Sequence, residues 1–150
     1  DGGRMSILDR ELVRGTEIAV SAGTYFPWRI DPALFVFTVR MKKGRPAEEG
    51  ERELYRVLDS IAKRGLDQRD LDRAKKMIEA DFVRRMETVS GRAMTLGRYE
   101  ILLGDFAEAS NVAEVYSKVS SEDIATAARK YFASSNRNVV TVTSSEGRED

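Results

Sequence analysis

Apolar positions alternate most cleanly from Leu34 to Met41. Phe35, Phe37, Val39 and Met41 fall on one side, and Leu34, Val36, Thr38 and Arg40 on the other. A two-residue period marks a β-strand with one face buried. Ile18 to Tyr25 reads the same way, with Ile18, Val20 and Ala22 sharing a face. Pro27 and the Asp31-Pro32 pair lie between these segments. A residue before proline is pushed into extended geometry, so the two strands are expected to pair antiparallel across a loop. Upstream, Ser6 to Val13 predicts a short helix stopped at Gly15, with Ile7, Leu8 and Leu12 on its apolar side.

The period lengthens after Lys42-Lys43-Gly44-Arg45-Pro46. Leu54, Val57, Leu58 and Ile61 form the apolar stripe of a helix from about Ala47 to Arg64, ended by Gly65. Asp67 is a good N-cap for the next helix, and Asp70 at its third position suits the positive helix end. Leu71, Ala74, Ile78, Phe82 and Met86 carry that helix to Val89, with a break at Ser90-Gly91. Ala93 to Leu103 is a further helix stopped by Gly104, and Ala107 to Tyr116 a weaker one. Ser120 with Asp123 resembles a capping box and opens a helix ending near Phe132. Asn138 to Thr143 alternates Val and Thr and predicts a third strand, and Gly147 to Asp150 reads as frayed.

Strands far apart in sequence with helices grouped between them predict an α+β fold, an antiparallel sheet with helices packed on one face. Neither an internal repeat nor a long linker divides residues 1–150, so one domain is expected. The 25 basic and 25 acidic residues balance, which leaves no global field to draw the chain onto nucleic acid or anionic lipid. The stretch Ala33 to Val39 is too short to span a bilayer, and the opening Asp1-Gly2-Gly3-Arg4 has no apolar leader core. With no cysteine there is no disulfide, and with no histidine the usual donors of a catalytic zinc site are missing.

Several segments, read in order, are similar to the pitrilysin/insulinase family of zinc metallopeptidases, and more narrowly to the second half-domain of bacterial processing-protease-like members. Gly2-Gly3-Arg4-Met5-Ser6-Ile7-Leu8 resembles the family's glycine-rich turn and helix start. Arg10-Glu11-Leu12-Val13-Arg14 resembles its Arg-rich helix end, and Ile18-Ala19-Val20-Ser21-Ala22-Gly23 the strand that follows. Asp31-Pro32-Ala33-Leu34-Phe35, Gly65-Leu66-Asp67 through Lys75, and Val119-Ser120 through Tyr131-Phe132 match later landmarks. The resemblance covers nearly the whole chain.

The resemblance implies a metallopeptidase half-domain that begins after its first strand and helix. It implies that zinc, held by an H-x-x-E-H helix, sits in a partner catalytic half and that this chain binds no cofactor. Glu79, Glu87 and Glu100 do not match the family's third zinc ligand. The chain would close a chamber around an extended peptide, or alternatively serve as a catalytically dead assembly subunit. The family's second half supplies an Arg and a Tyr near the substrate backbone. Arg14 matches the Arg, with Arg10 a near alternative, and the Tyr position falls on Val20. Family analogy favours the periplasm over the cytoplasm.

Other residues invite a functional and a plain reading together. Lys75, Lys76, Arg84 and Arg85 form a basic stripe that Asp72, Glu79, Asp81 and Glu87 neutralise, which favours a solvated helix face. Phe35, Phe37 and Met41 fit a buried sheet face better than a peptide groove. Trp28 either anchors a partner or packs on its own sheet edge. Glu48, Glu49, Glu51 and Glu53 are explained by the start of a helix.

Overall fold

The alternation around residue 37 becomes a ladder in the computed structural model, which describes residues 6–143. Strands β1 (Ala19–Tyr25) and β2 (Val36–Met41) pair antiparallel, with Ala22 opposite Val39 and Thr24 opposite Phe37. Phe37, Val39 and Met41 are half-buried, whereas Val36, Thr38 and Arg40 are exposed, so the expected face packs within the strand. The strand starts at Val36, however, and Leu34 and Phe35, expected within it, lie in the loop, with Phe35 43% exposed. The register slips between Ala19 and Ser21, leaving Val20 as a bulged extra residue. Ile18 and Ala19 are buried and Val20 is 51% exposed. The expected grouping of Ile18, Val20 and Ala22 is therefore corrected. One inserted residue resets the two-residue phase, and Ala19 and Ala22 face the core instead.

The segment before β1 is helical as expected but more widely wound, a π-helix over Asp9–Gly15. The Thr16 N–H donates across five residues to the Glu11 carbonyl at 2.9 Å. The Thr16 hydroxyl also reaches the Glu11 and Leu12 carbonyls at 3.1 and 3.3 Å. A Cβ at Gly15 would lie 2.9 Å from the Arg10 carbonyl oxygen, so the wide turn closes on a glycine. Leu12 points inward and is fully buried. With Leu8, Ile18, Ala19 and Val57 it forms the main core, against which Phe37, Val39, Met41, Leu54 and Ile61 pack.

Helix α1 (Ala47–Arg64) has the bounds its stripe predicts, and it packs on β2 and on α5 (Ser121–Tyr131). Gly65 ends it at φ +69° and ψ −156°, with its N–H on the Ile61 carbonyl at 2.7 Å. Only glycine adopts that backbone readily. A side chain there would also run into the Ser121 carbonyl. The junction is tied again by the Ser121 hydroxyl on the Leu66 carbonyl at 2.6 Å and by Arg129 Nη1 on the Ala62 carbonyl at 2.9 Å.

Asp67 caps α2 (Gln68–Glu87) by accepting the Asp70 N–H at 2.9 Å. Thr88, in extended conformation, ends α2 and caps α3 (Val89–Leu103) through its hydroxyl, which accepts the Gly91 N–H at 3.0 Å. The break thus falls before Ser90-Gly91, because the threonine cap makes Gly91 part of the first turn of α3. The weaker helix expected over Ala107–Tyr116 divides into a 3₁₀ segment (Phe106–Asn111) and α4 (Val112–Ser117). The capping box at Ser120 and Asp123 forms as expected.

The fold is α+β. Among the described residues its sheet has two strands, not the three expected. Residues 138–143 join no ladder, and Val140 and Val142 are 86% and 91% exposed. Alternation predicts which side chains would share a face but supplies no edge to pair with. Expectations for residues 1–5 and 147–150 lie outside the described residues.

Gly65→Ala should destabilise the chain by about 1–3 kcal/mol, the cost of a strained backbone plus a steric clash. Urea unfolding measures this, and an unchanged midpoint would contradict the role given to Gly65.

Candidate functional site

The two arginines singled out by sequence both project from the π-helix, one turn apart. Arg10 forms a fork with Asp70 at the start of α2: Nη1 to Oδ1 at 3.2 Å and Nη2 to Oδ2 at 2.9 Å. Its Nε lies 3.5 Å from Glu11. Arg73 Nη2 also donates to Asp70 Oδ1 at 2.9 Å. Asp70 is the one buried charged residue among those described, at 6% exposure. Burial of a carboxylate is tolerated only with such partners. The hydrogen bonds from Arg10 hold the Asp70 carboxyl below its usual range against the opposing effect of burial, helped by the charges of Arg10, Arg73 and Arg69.

Arg14 is more open, and its Nε donates to Asp9 Oδ2 at 3.0 Å. Residues five apart on an α-helix lie about 140° apart around the axis. The π winding turns Asp9 and Arg14 toward one side and makes that contact possible. Glu11, on the same segment, accepts from Arg56 of α1 at 3.1 Å. The π-helix is therefore tied to α1 by Glu11 and to α2 by Arg10. Its exit passes through Glu17, a non-glycine residue at φ 55°, and then into the bulge at Val20.

Sequence reasoning reads Asp70 only as a helix-start carboxylate. Its partner Arg10 lies 60 residues away, and no local signal reports that pairing. The wide winding likewise escapes it; Gly15 and Thr16 are its nearest marks in the sequence.

Trp28 packs edge-to-face on Tyr99 of α3, with ring centroids 5.0 Å apart, so it anchors the loop on its own chain while staying 42% exposed. Phe35 and Phe37 each meet Phe132, which follows α5, at 5.1 Å. They form an aromatic layer rather than an open groove, and Met41 joins the main core. Phe26 stacks on Phe35 at 5.6 Å. Even so, Tyr25, Phe26, Ile30 and Leu34 are 56–74% exposed, and with Trp28, Phe35 and Val36 they make the loop between β1 and β2 and the strand ends beside it an uncovered apolar surface.

Three members of the basic stripe bond within the chain. Lys75 Nζ donates to the Ser117 carbonyl at 2.8 Å, Arg84 pairs with Asp81, and Arg85 reaches the Asp81 carbonyl. In the glutamate run, Glu49 pairs with Arg45 and Glu53 with Arg56. Glu100 accepts the Phe106 N–H at 3.0 Å. An apolar hollow of about 580 Å³ lies between α2, α3 and the 3₁₀ segment, lined by Phe82, Met86, Leu96 and Phe106 among others. Among the described residues no three carboxylates converge as a cation site, and no helix is long and apolar enough to cross a membrane. With neither histidine nor cysteine in the sequence, the donor set does not fit a zinc site.

In fold the chain is similar to a protease from Helicobacter pylori, with a TM-score of 0.80 and 24% identity; the likeness covers 89% of this chain and 32% of that one. The chain thus spans about a third of the length of that protease. No protein-family model matches the chain, and no curated protein does.

Asp70→Ala should cost roughly 1.5–3 kcal/mol, the range for hydrogen bonds to a charged group. Because the folded pKa of Asp70 is depressed, its contribution is complete above the ordinary aspartate value of about 3.9 and is lost as pH falls through the lower folded value. Stability measured by urea unfolding should therefore decline below about pH 4, and less steeply in Asp70→Asn. Parallel pH profiles for the two proteins would contradict this.

Proposed function

We propose that this chain is the non-catalytic half of a zinc-dependent metalloendopeptidase of the pitrilysin/insulinase type, as in bacterial processing-protease-like members. Its role is to close a substrate chamber whose metal chemistry is housed in a partner half. The observation that carries the reading is the fold likeness to a protease across 89% of the chain, over only 32% of that protease. A sequence without histidine or cysteine supports it from the chemical side, since a zinc-bound water needs donors this chain does not have. The uncovered loop of Tyr25, Phe26, Ile30 and Leu34 supports it from the packing side, as a surface of the kind an adjoining half would bury.

Within this reading Arg14 holds the backbone of an extended peptide. Arg10 is the weaker match to the family's arginine, and both its terminal nitrogens bind Asp70. A guanidinium suits that role, being always charged and presenting its donors in a fixed plane. Val20, at the bulge beyond, brings no hydroxyl to a peptide carbonyl or a developing oxyanion. That residue favours a second reading, a catalytically silent subunit that uses the same fold for assembly.

Incubated alone with unfolded peptides, with or without zinc, the chain should release no chelator-sensitive products. Combined with a partner half that carries H-x-x-E-H, it should support cleavage. Arg14→Ala should then lower kcat/KM about 10- to 100-fold, as expected for one lost charge-assisted hydrogen bond. Chelator-sensitive cleavage by the chain alone would overturn the non-catalytic assignment. Full cleavage by Arg14→Ala would remove that residue from the site. A stable complex without cleavage would favour the assembly subunit.

A further inference from the structure

A π-helix is rare and occurs mostly as a single turn, frequently at functional sites. Among the described residues, three ties hold the segment 9–15. Leu12 is sunk in the core, Glu11 is tied to Arg56, and Arg10 is clasped by Asp70. Of these ties the clasp is the most rigidly built. Asp70 is buried, its own N–H is capped by Asp67, and its two oxygens receive three hydrogen bonds. Arg73 supplies one of those bonds from the same helix, so Asp70 has a neutralising partner without Arg10. The bond to Arg10 joins α2 to the turn that precedes Arg14.

We infer that Asp70 is a positioning residue for Arg14. By gripping Arg10 it keeps residues 9–15 in the wide winding, and the winding sets the direction in which Arg14 leaves the helix. The Arg14–Asp9 contact at 3.0 Å is the sign of that winding, because the same pair would face apart on an α-helix. The functional half of this inference rests on the reading of Arg14 as a substrate-binding group; the structural half does not.

The test uses Asp70→Asn and, as a second variant, Arg10→Lys, which keeps the charge and loses the planar fork. Amide hydrogen exchange in the intact chain reads the winding at Thr16, whose N–H closes the five-residue turn on Glu11. Phe132, whose N–H closes α5 on Ala128, serves as the control. Both variants should lose at least tenfold protection at Thr16 while Phe132 keeps its own. No change at Thr16, or an equal loss at both amides, would overturn the inference. In the cleavage assay with the partner half, adding Asp70→Asn to Arg14→Ala should cause no further loss; an additive loss would also overturn it. If Arg14→Ala cleaves normally, the substrate-binding reading of Arg14 fails by itself, and exchange at Thr16 still decides whether Asp70 sets the winding.

Discussion

A single forked ion pair, Arg10 on Asp70, joins the two parts of the chain that sequence keeps 60 residues apart. One part is the π-helix and the strands it leads into; the other is the start of the long helical run. A guanidinium fork on a buried carboxylate fixes both distance and orientation, although the Arg10 side chain itself stays 43% exposed. Its removal would leave the carboxylate with Arg73 and loosen the tie between the π-helix and α2. Several other features make sense around it. Leu12 seats in the core beneath the clasped turn, Gly15 allows the wide turn to close, and Glu17 takes a left-handed backbone to reach β1.

Around that brace the molecule is unevenly finished. The main core lies where the π-helix, α1 and the inner sheet face meet, and the helical junctions are tied by the Gly65 N–H on the Ile61 carbonyl and by the Ser120–Asp123 capping box. The loop between the strands is otherwise: aromatic and aliphatic side chains stack on one another and still meet solvent. Exposed apolar surfaces of this kind are common at interaction sites and ligand grooves. The proposed closing role rests on that asymmetry and on a fold likeness to about a third of a longer protease.

Much of the fold was legible because its determinants are local. The stripe of Leu54, Val57, Leu58 and Ile61, bounded by Pro46 and Gly65, gave α1 its limits. The Ser120–Asp123 box announced α5, and the alternation through Phe37 and Val39 gave β2 its inner face. What was not legible depends on partners distant in sequence. The bulge at Val20 arises from pairing with Arg40 and Met41, and no pattern within β1 marks it. The strand expected at 138–143 has the right alternation but no neighbour within the described residues. The family resemblance ranked Arg14 above Arg10, but no local signal marked Asp70, which holds both terminal nitrogens of Arg10.

The most direct test of the account is amide hydrogen exchange of this chain, alone and mixed with a half-domain carrying H-x-x-E-H. The account predicts new protection over residues 25–36 and around Arg14, with the α2–α3 surface unchanged. Protection confined to that helical surface, or none at concentrations that support cleavage, would contradict it.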